Sequence, residues 1–498
     1  MNQIKVGAIL SYIAIFINII TGIVYTPWMI NSIGKENFGL YTLAMSVISL
    51  FVLDFGLSSA VTRFISNYLA EGRQDKADKC LGLVYRLYIL LDIFFVLLLF
   101  CIYFLIPTLY KELTLDELQR FKIIFVMVAV YSVISFPFIP TNGILTAHEK
   151  FIPLKLISLF HKISIAAIMS CCLLMGGGLY SLVLINIIVG ILEIVFKLIY
   201  ISKKTNQKID YNYFDFSEFK KIISYSGWIT VIALAQRCIF TIAPTILGAL
   251  SGSVAIAILG ISITLESYTN IFANAINGMF LPKVSRIYSN NDGNILPLMI
   301  KVGRIQVMTI SIVVIGFICL GQDFINLWVG EQFNDSYICT VLIILPSLFQ
   351  LPQEIGIQAI AVKNKVKYEA YVFILMALLN ILGSIILGKF YGAVGICISI
   401  FISYIVRTIG IDCVLKKYLF LEIGSFIKET FVKFFIPIIL SLLCGYIITN
   451  IIALQGWLGF IIKGLSFAFS HTFLLYVLGM NSYEKELLFS PIKKILRK

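Results

Sequence analysis

Only 13% of the 498 residues are charged, and histidine occurs three times. A soluble domain of this length needs far more polar surface to cover its core, so the scarcity of charge argues against one. His148, His161 and His471 are scattered, and His148-Glu149-Lys150 is not HExxH, so no zinc site is expected. The ten cysteines include no CxxC pair and mostly lie in apolar runs, where they read as small packing residues rather than metal ligands. No Walker A motif occurs, which leaves direct ATP coupling within this chain unsupported. Asp54-Phe55-Gly56 spells the kinase magnesium motif, but no HRD, VAIK-like lysine or glycine-rich phosphate loop accompanies it. Nor is any loop long enough to carry the catalytic residues of a membrane glycosyltransferase, polymerase or ligase. Neither enzyme chemistry nor a cofactor is expected.

What is present is apolar. Hydrophobic residues make up 59% of the chain, aromatics 14%, and the mean hydropathy is +0.96. An all-α integral membrane protein is the plain expectation. The N-terminal apolar run is too long for a typical signal peptide and reads as a retained first span. A helix crossing hydrocarbon needs roughly 20 apolar residues. Windows of that kind fall at about 7–30, 38–61, 81–109, 121–144, 156–175, 179–201, 224–249, 254–280, 305–327, 337–360, 369–390, 394–415, 431–451 and 457–479, fourteen in all.

The formal charge of +13 does not signal nucleic acid, because the basic residues are spread over short loops. With the N-terminus in the cytoplasm, inner loops carry runs such as Arg63, Arg73, Lys76 and Lys79, and the tail adds Lys485, Lys493, Lys494, Arg497 and Lys498. The outer loops hold only Lys35, Lys111, Arg120 and Lys389. This asymmetry predicts cytoplasmic termini. The segment 62–79 sets Phe64, Ile65, Tyr68 and Leu69 beside charges, which predicts an amphipathic helix on the inner membrane surface.

Spans one to six repeat as spans seven to twelve. "VYTPWMINSIG" (24–34) pairs with "FTIAPTILGAL" (240–250), and "AVTRFISNY" with "FLPKVSRIY". Arg86 and Arg304 each open the following span. "FPFIPTNGILTAHEK" (136–150) pairs with "FQLPQEIGIQAIAVKNK" (349–365), and the glycine turn at 176–185 with "YGAVGICISI" (391–400). Both halves start from the same side, so a pseudo-twofold axis along the membrane normal is expected, as in two-bundle transporters. The resulting domains are a six-helix bundle at 1–201, a cytoplasmic linker at 202–223, a second bundle at 224–415, and two further spans with a basic tail at 416–498. Pro140, Pro282 and Pro352 lie in or beside spans, as static kinks or bends.

Ionisable groups cost roughly 2.5–3.5 kcal/mol at the bilayer centre on insertion scales, so each needs a partner or a cavity. The candidates are Asp54, Arg86, Asp92, Arg237, Glu266, Glu354, Arg407 and Asp412. Arg237 and Glu266 fall at similar depth on consecutive spans, either as a buried pair or as cavity lining. Arg407 is also near mid-membrane. Asp54 is expected within the second helix as a structural partner of Arg86, with Gly56 allowing close helix approach. Asp92 is read as a protonation site or a buried partner.

"LDFGLSSAVTRFISNYLAEGRQDKADK" resembles the second span and following loop of the Wzx-type polysaccharide flippases of the MATE-like MOP exporter superfamily. "LWVGEQF" (327–333) and "FYGAVGICISIFISYIV" (390–406) are similar to the same group, and the likeness covers essentially the whole chain. The resemblance implies movement of undecaprenyl-pyrophosphate-linked oligosaccharide repeat units from the inner to the outer leaflet of the bacterial plasma membrane. It implies alternating access coupled to a proton or sodium ion, serving O-antigen, capsule, lipopolysaccharide or related polymers. Membrane lipids and other polysaccharide-assembly membrane proteins are the implied partners. By the same resemblance Arg237 and Arg407, then Arg86 and Glu266, are cavity candidates, with Asp54, Asp92 and Glu354 as ion-coupling groups or buried pairs. An arginine fork suits phosphate oxygens. A MATE-type cation or drug antiporter and a lipid II flippase share the layout and remain alternatives.

Overall fold

The computed structural model describes residues 3–51, 54–210, 213, 215–277, 284, 287, 294–363 and 365–486, and the described residues contain helices and no strand. Ten helical stretches are long and apolar enough to cross a membrane. Two of them, Gly227–Ile271 and Val366–Leu419, are broken by Gly252 (φ 75°) and Gly392 (φ 55°) and so hold two traverses each. Only glycine adopts such a φ without a Cβ clash, so these two residues turn the chain. With α1 (Gln3–Ile33) and the pair α2 (Lys35–Phe51) and α3 (Leu57–Ala70), the count matches the fourteen spans read from sequence. Side chains such as Leu90, Leu97, Phe100, Leu382 and Phe435 stand more than half exposed, as lipid-facing groups should. The chain is an all-α multi-pass membrane protein.

Packing divides it into two compact units: Met1–Gly260 with Ile381–Ile396, and Ile261–Asn380 with Cys397–Lys498. In the first, α4 (Gln74–Leu109), α5 (Leu115–Ser135), a 3-10 turn at Phe136–Phe138 and α6 (Thr141–Ala147) follow α3. Then come α7 (Phe151–Leu174), α8 (Leu179–Lys204), α9 (Phe216–Phe240) and the start of α10 (Ala243–Asn277). The expected glycine turn separates α7 from α8, with Gly176 at φ 80°. Its core joins α3, α4 and α6 through Ala60, Val61, Ile65, Val84, Tyr88 and Ile144. Gly143 permits this contact, because a Cβ there would meet the Ser58 carbonyl oxygen at 2.6 Å.

The segment 62–79 is not a separate surface helix. It is the end of α3, a turn at Glu71–Gly72, and the first turns of α4. Ile65 is fully buried and Phe64, Tyr68 and Leu69 pack against the core, so the apolar stripe faces protein. The connector after α8 is also docked. Asp78 Oδ1 accepts hydrogen bonds from Gln207 Nε2 (2.7 Å) and the Lys208 amide (2.9 Å), and the Asp210 amide donates to the Asp78 carbonyl at 3.3 Å.

The second unit continues α10 into α11 (Leu296–Trp328), α12 (Asp335–Ile344), α13 (Ser347–Gln350), a 3-10 turn at Leu351–Gln353 and α14 (Glu354–Val362). α15 (Val366–Leu419) is followed by α16 (Ile423–Ile427), a π-helical turn at Lys428–Val432, α17 (Lys433–Ile451) and α18 (Gly456–Leu474). A second π-helical turn, Leu475–Gly479, ends the last span. Pro140 and Pro352 both sit where a 3-10 turn interrupts a span. Pro282 lies outside the described residues.

Arg304 of α11 holds the appended helices. Its Nε and Nη2 donate to the two Glu484 carboxylate oxygens at 2.5 and 2.8 Å, Nη2 also reaches the Gly479 carbonyl at 2.7 Å, and Nη1 reaches the Glu429 carbonyl at 2.7 Å. Both side chains are about 3–4% exposed. The two carbonyls belong to the π-helical turns, where irregular backbone frees acceptors. Removing one partner of such a pair leaves an uncompensated buried charge, typically ~3–5 kcal/mol. Glu484→Ala is therefore expected to lower the thermal unfolding midpoint in detergent sharply, whereas removing both charges together should cost less than the sum of the single changes.

Candidate functional site

The second span is not continuous. α2 ends at Phe51, α3 begins at Leu57, and between them Phe55 (φ 50°) and Gly56 (φ 64°) are left-handed. A left-handed phenylalanine is strained, at roughly 1–2 kcal/mol, and its neighbours hold it. The Thr230 hydroxyl of α9 donates to the Phe55 carbonyl at 2.5 Å, and the Phe55 ring packs against Phe95 (6.0 Å) and Phe136 (6.5 Å). Gly56 thus serves a backbone turn.

Asp54 ties the break together. Its Oδ1 accepts the Ser58 amide at 3.1 Å, satisfying a first-turn N–H of α3, and the Tyr88 hydroxyl at 2.7 Å. Tyr88 also donates to the Asp54 backbone carbonyl at 3.1 Å. The positive charge that acts on Asp54 is Arg237. The expected pair with Arg86 does not form: Arg86 has no ion pair among the described residues. Arg86 and Tyr88 are two apart on α4, and residues at that spacing do not share a helix face. With Tyr88 turned to the break, Arg86 faces elsewhere.

Arg237 lies on the last turn of α9, where its carbonyl accepts the amides of Thr241 (3.0 Å) and Ile242 (3.2 Å) before α10 begins. Two helix interruptions, at 54–56 and 241–242, thus belong to one polar cluster. Asp92, one turn beyond Tyr88, has a buried Oδ1 with no hydrogen-bond partner among the described residues.

The second unit has its own cluster. Arg407 of α15 is 3% exposed, donates from Nη1 to Gln353 Oε1 at 2.9 Å, and places Nη2 3.7 Å from Glu354. Gln353 in turn donates through Nε2 to Asp412 Oδ1 at 2.7 Å and to the Thr408 carbonyl at 3.0 Å. Gln353 belongs to the 3-10 turn beside Pro352, so the break in the tenth span presents this amide. Glu369 and Asp412 also feel the Arg407 charge, and Tyr404 lies within electrostatic reach of Arg407, Glu354 and Glu266. Glu266 is 5% exposed and accepts a hydrogen bond from the Asn270 amide. Arg407 Nε has no hydrogen-bond partner among the described residues, so one donor of the fork is unused there.

Sequence reasoning missed Tyr88, Thr230, Gln353, Glu369 and Tyr404. A search for ionisable groups passes over hydroxyls and amides, although the proline beside Gln353 was a signal. Tyr88→Phe is expected to destabilise the first unit by about 1–3 kcal/mol, since it strands a buried acceptor. In an Asp54→Asn background the loss should shrink, and a thermal-unfolding double-mutant cycle measures the difference.

A family model described as "Polysaccharide biosynthesis protein" matches residues 4–288. No curated protein matches the chain. Among solved structures, "Lipid II flippase MurJ, inward closed conformation" superposes with a TM-score of 0.71 at 15% identity, covering 97% of this chain and 99% of that one. An inward-facing multidrug resistance MATE family transporter of the MOP superfamily gives 0.66 at 13% identity, covering 82% and 99%. The eukaryotic MATE transporter AtDTX14 gives 0.57 at 13% identity, covering 84% and 93%. At these identities the likeness establishes the fold, which is MATE-like. With more than half of its length matched by the family model, this chain belongs to the polysaccharide biosynthesis protein family.

Proposed function

We propose that this protein is a MOP-superfamily flippase that moves undecaprenyl-pyrophosphate-linked oligosaccharide repeat units from the inner to the outer leaflet of a bacterial plasma membrane. It works by alternating access with both termini cytoplasmic, and it makes and breaks no covalent bond. The product feeds O-antigen, capsule or a related polysaccharide through other assembly proteins of the same membrane. The family match over 4–288 carries this reading. The two polar clusters support it physically. Each compact unit holds a membrane-embedded arginine, Arg237 or Arg407, and a guanidinium suits pyrophosphate oxygens. Arg407 keeps one N–H unengaged.

Around Arg407 the carboxylates of Glu354, Glu369 and Asp412 outnumber the arginine. Such a surplus in low dielectric suits a group that exchanges a proton or a sodium ion during the cycle. Asp54, Asp92 and Glu266 are further candidates for that role. The same surplus favours, as the second reading, a cation or drug antiporter of the MATE type.

Deleting the gene should abolish surface polysaccharide and accumulate lipid-linked repeat units on the inner leaflet; intact polymer would overturn the flippase reading. In complementation, Arg407→Ala and Arg237→Ala should each reduce export at least about tenfold at equal protein level, and Arg407→Lys should restore only part, because ammonium lacks the fork. Unchanged export removes that arginine from the site.

A further inference from the structure

The LWVGEQF segment and the last interhelical loop form a feature separate from the two polar clusters. Where α11 ends and α17 gives way to α18, the second unit opens a cavity of about 520 Å³. Small-molecule sites run to roughly 300–1,000 Å³. Its polar lining comes from three directions: Asp323 and Asn326 of α11, Glu331 of the following turn, and Thr449, Gln455 and Lys463 from the last two spans. Phe460 supplies an aromatic wall. That ring meets Trp457 edge-on at 6.0 Å and 87°, and Phe324 at a tilt of 37° and 5.7 Å, and Phe324 itself stacks on Trp328 at 5.3 Å.

The chemistry of the lining selects among ligands. Lys463 Nζ is already bound to Asp323 Oδ2 at 2.9 Å, so the cation is neutralised and Glu331 leaves the cavity net negative. That repels phosphate, which argues against a phospholipid headgroup or a nucleotide. The polar character of the lining argues against an acyl chain. Asn326 accepts through Oδ1 from Gln322 Nε2 at 3.2 Å, which fixes the orientation of its side-chain amide. Gln455 stands before α18 without capping it through its side chain. Planar amides and carboxylates beside one rigid aromatic face are what a hydroxylated ring with an apolar side recognises.

We propose that this cavity is a saccharide-binding site on the trans face, a station for the sugar moiety after it has crossed. As a station for product, the proposal rests on the flippase reading; as a sugar site it stands on the cavity itself. The test is saturation-transfer NMR on the full chain in lipid nanodiscs, with oligosaccharides released by mild acid from the host's lipid-linked pool as the probe. The expected result is saturable transfer to sugar protons, weakened at least about tenfold by Asn326→Ala, Gln455→Ala and Phe460→Leu. Unfolding midpoints should stay unchanged in the first two, and Arg407→Ala should leave transfer intact. Absence of transfer, transfer equal in wild type and variants, or transfer to glycerol phosphate in place of sugar would each overturn the site. Polymer lost on gene deletion with no sugar binding overturns the site alone. Intact polymer with sugar binding retained overturns the transport reading alone.

Discussion

A backbone N–H or C=O left unpaired in hydrocarbon costs several kcal/mol, and that penalty organises this protein. Continuous helix satisfies it without help. Wherever the helix is interrupted, a side chain must come to the freed groups. At 54–56, Asp54, Tyr88 and Thr230 perform that task; at Leu351–Gln353, a polar side chain is delivered next to Pro352 and gathers Arg407 and Asp412. At the π-helical turns of the appended helices, Arg304 collects the stray carbonyls. The polar clusters are thus centred on the interruptions, and the interruptions are where the spans have backbone free to bend.

The three buried arginines differ in how completely they are matched. Arg304 meets both oxygens of one carboxylate and two carbonyls, so that each of its three nitrogens is engaged and four of its five N–H donors are used. Arg407 has an amide, a distant carboxylate and an unused Nε, amid more acids than it can neutralise. Arg237 acts on an aspartate already engaged by a tyrosine and a backbone amide. A saturated guanidinium is suited to holding structure, and an unsaturated one to exchanging partners.

The span count was legible because hydropathy over some twenty residues is a coarse, additive signal. Prolines 140 and 352 were legible too, since proline interrupts a helix by removing a donor. The site was less so. Asp54 was visible as a costly acid, but its partner was assigned by charge, and Tyr88 won by facing the break while Arg86 did not. Phe55 at φ 50° could not be foreseen, because nothing in a phenylalanine announces a left-handed backbone. The apolar stripe at 64–69 gives one periodicity whether it faces lipid or a neighbouring helix. Only the packing of Ile65 against the α3–α4–α6 core decides between them.

The connector after α8 has a practical consequence. Residues 205–210 look like a loop, yet they are pinned to Asp78, and the Asp210 carbonyl oxygen occupies the space where a side chain on Gly82 would begin, 1.8 Å from an added Cβ. Glycine at 82 and a straight connector are therefore one feature written in two places of the chain. An epitope or reporter inserted at 205–210 to map sidedness would have to peel this strap from α4. Its signal would describe a damaged first unit, and a reporter beyond the C-terminal helix at 482–486 is the cleaner marker of topology.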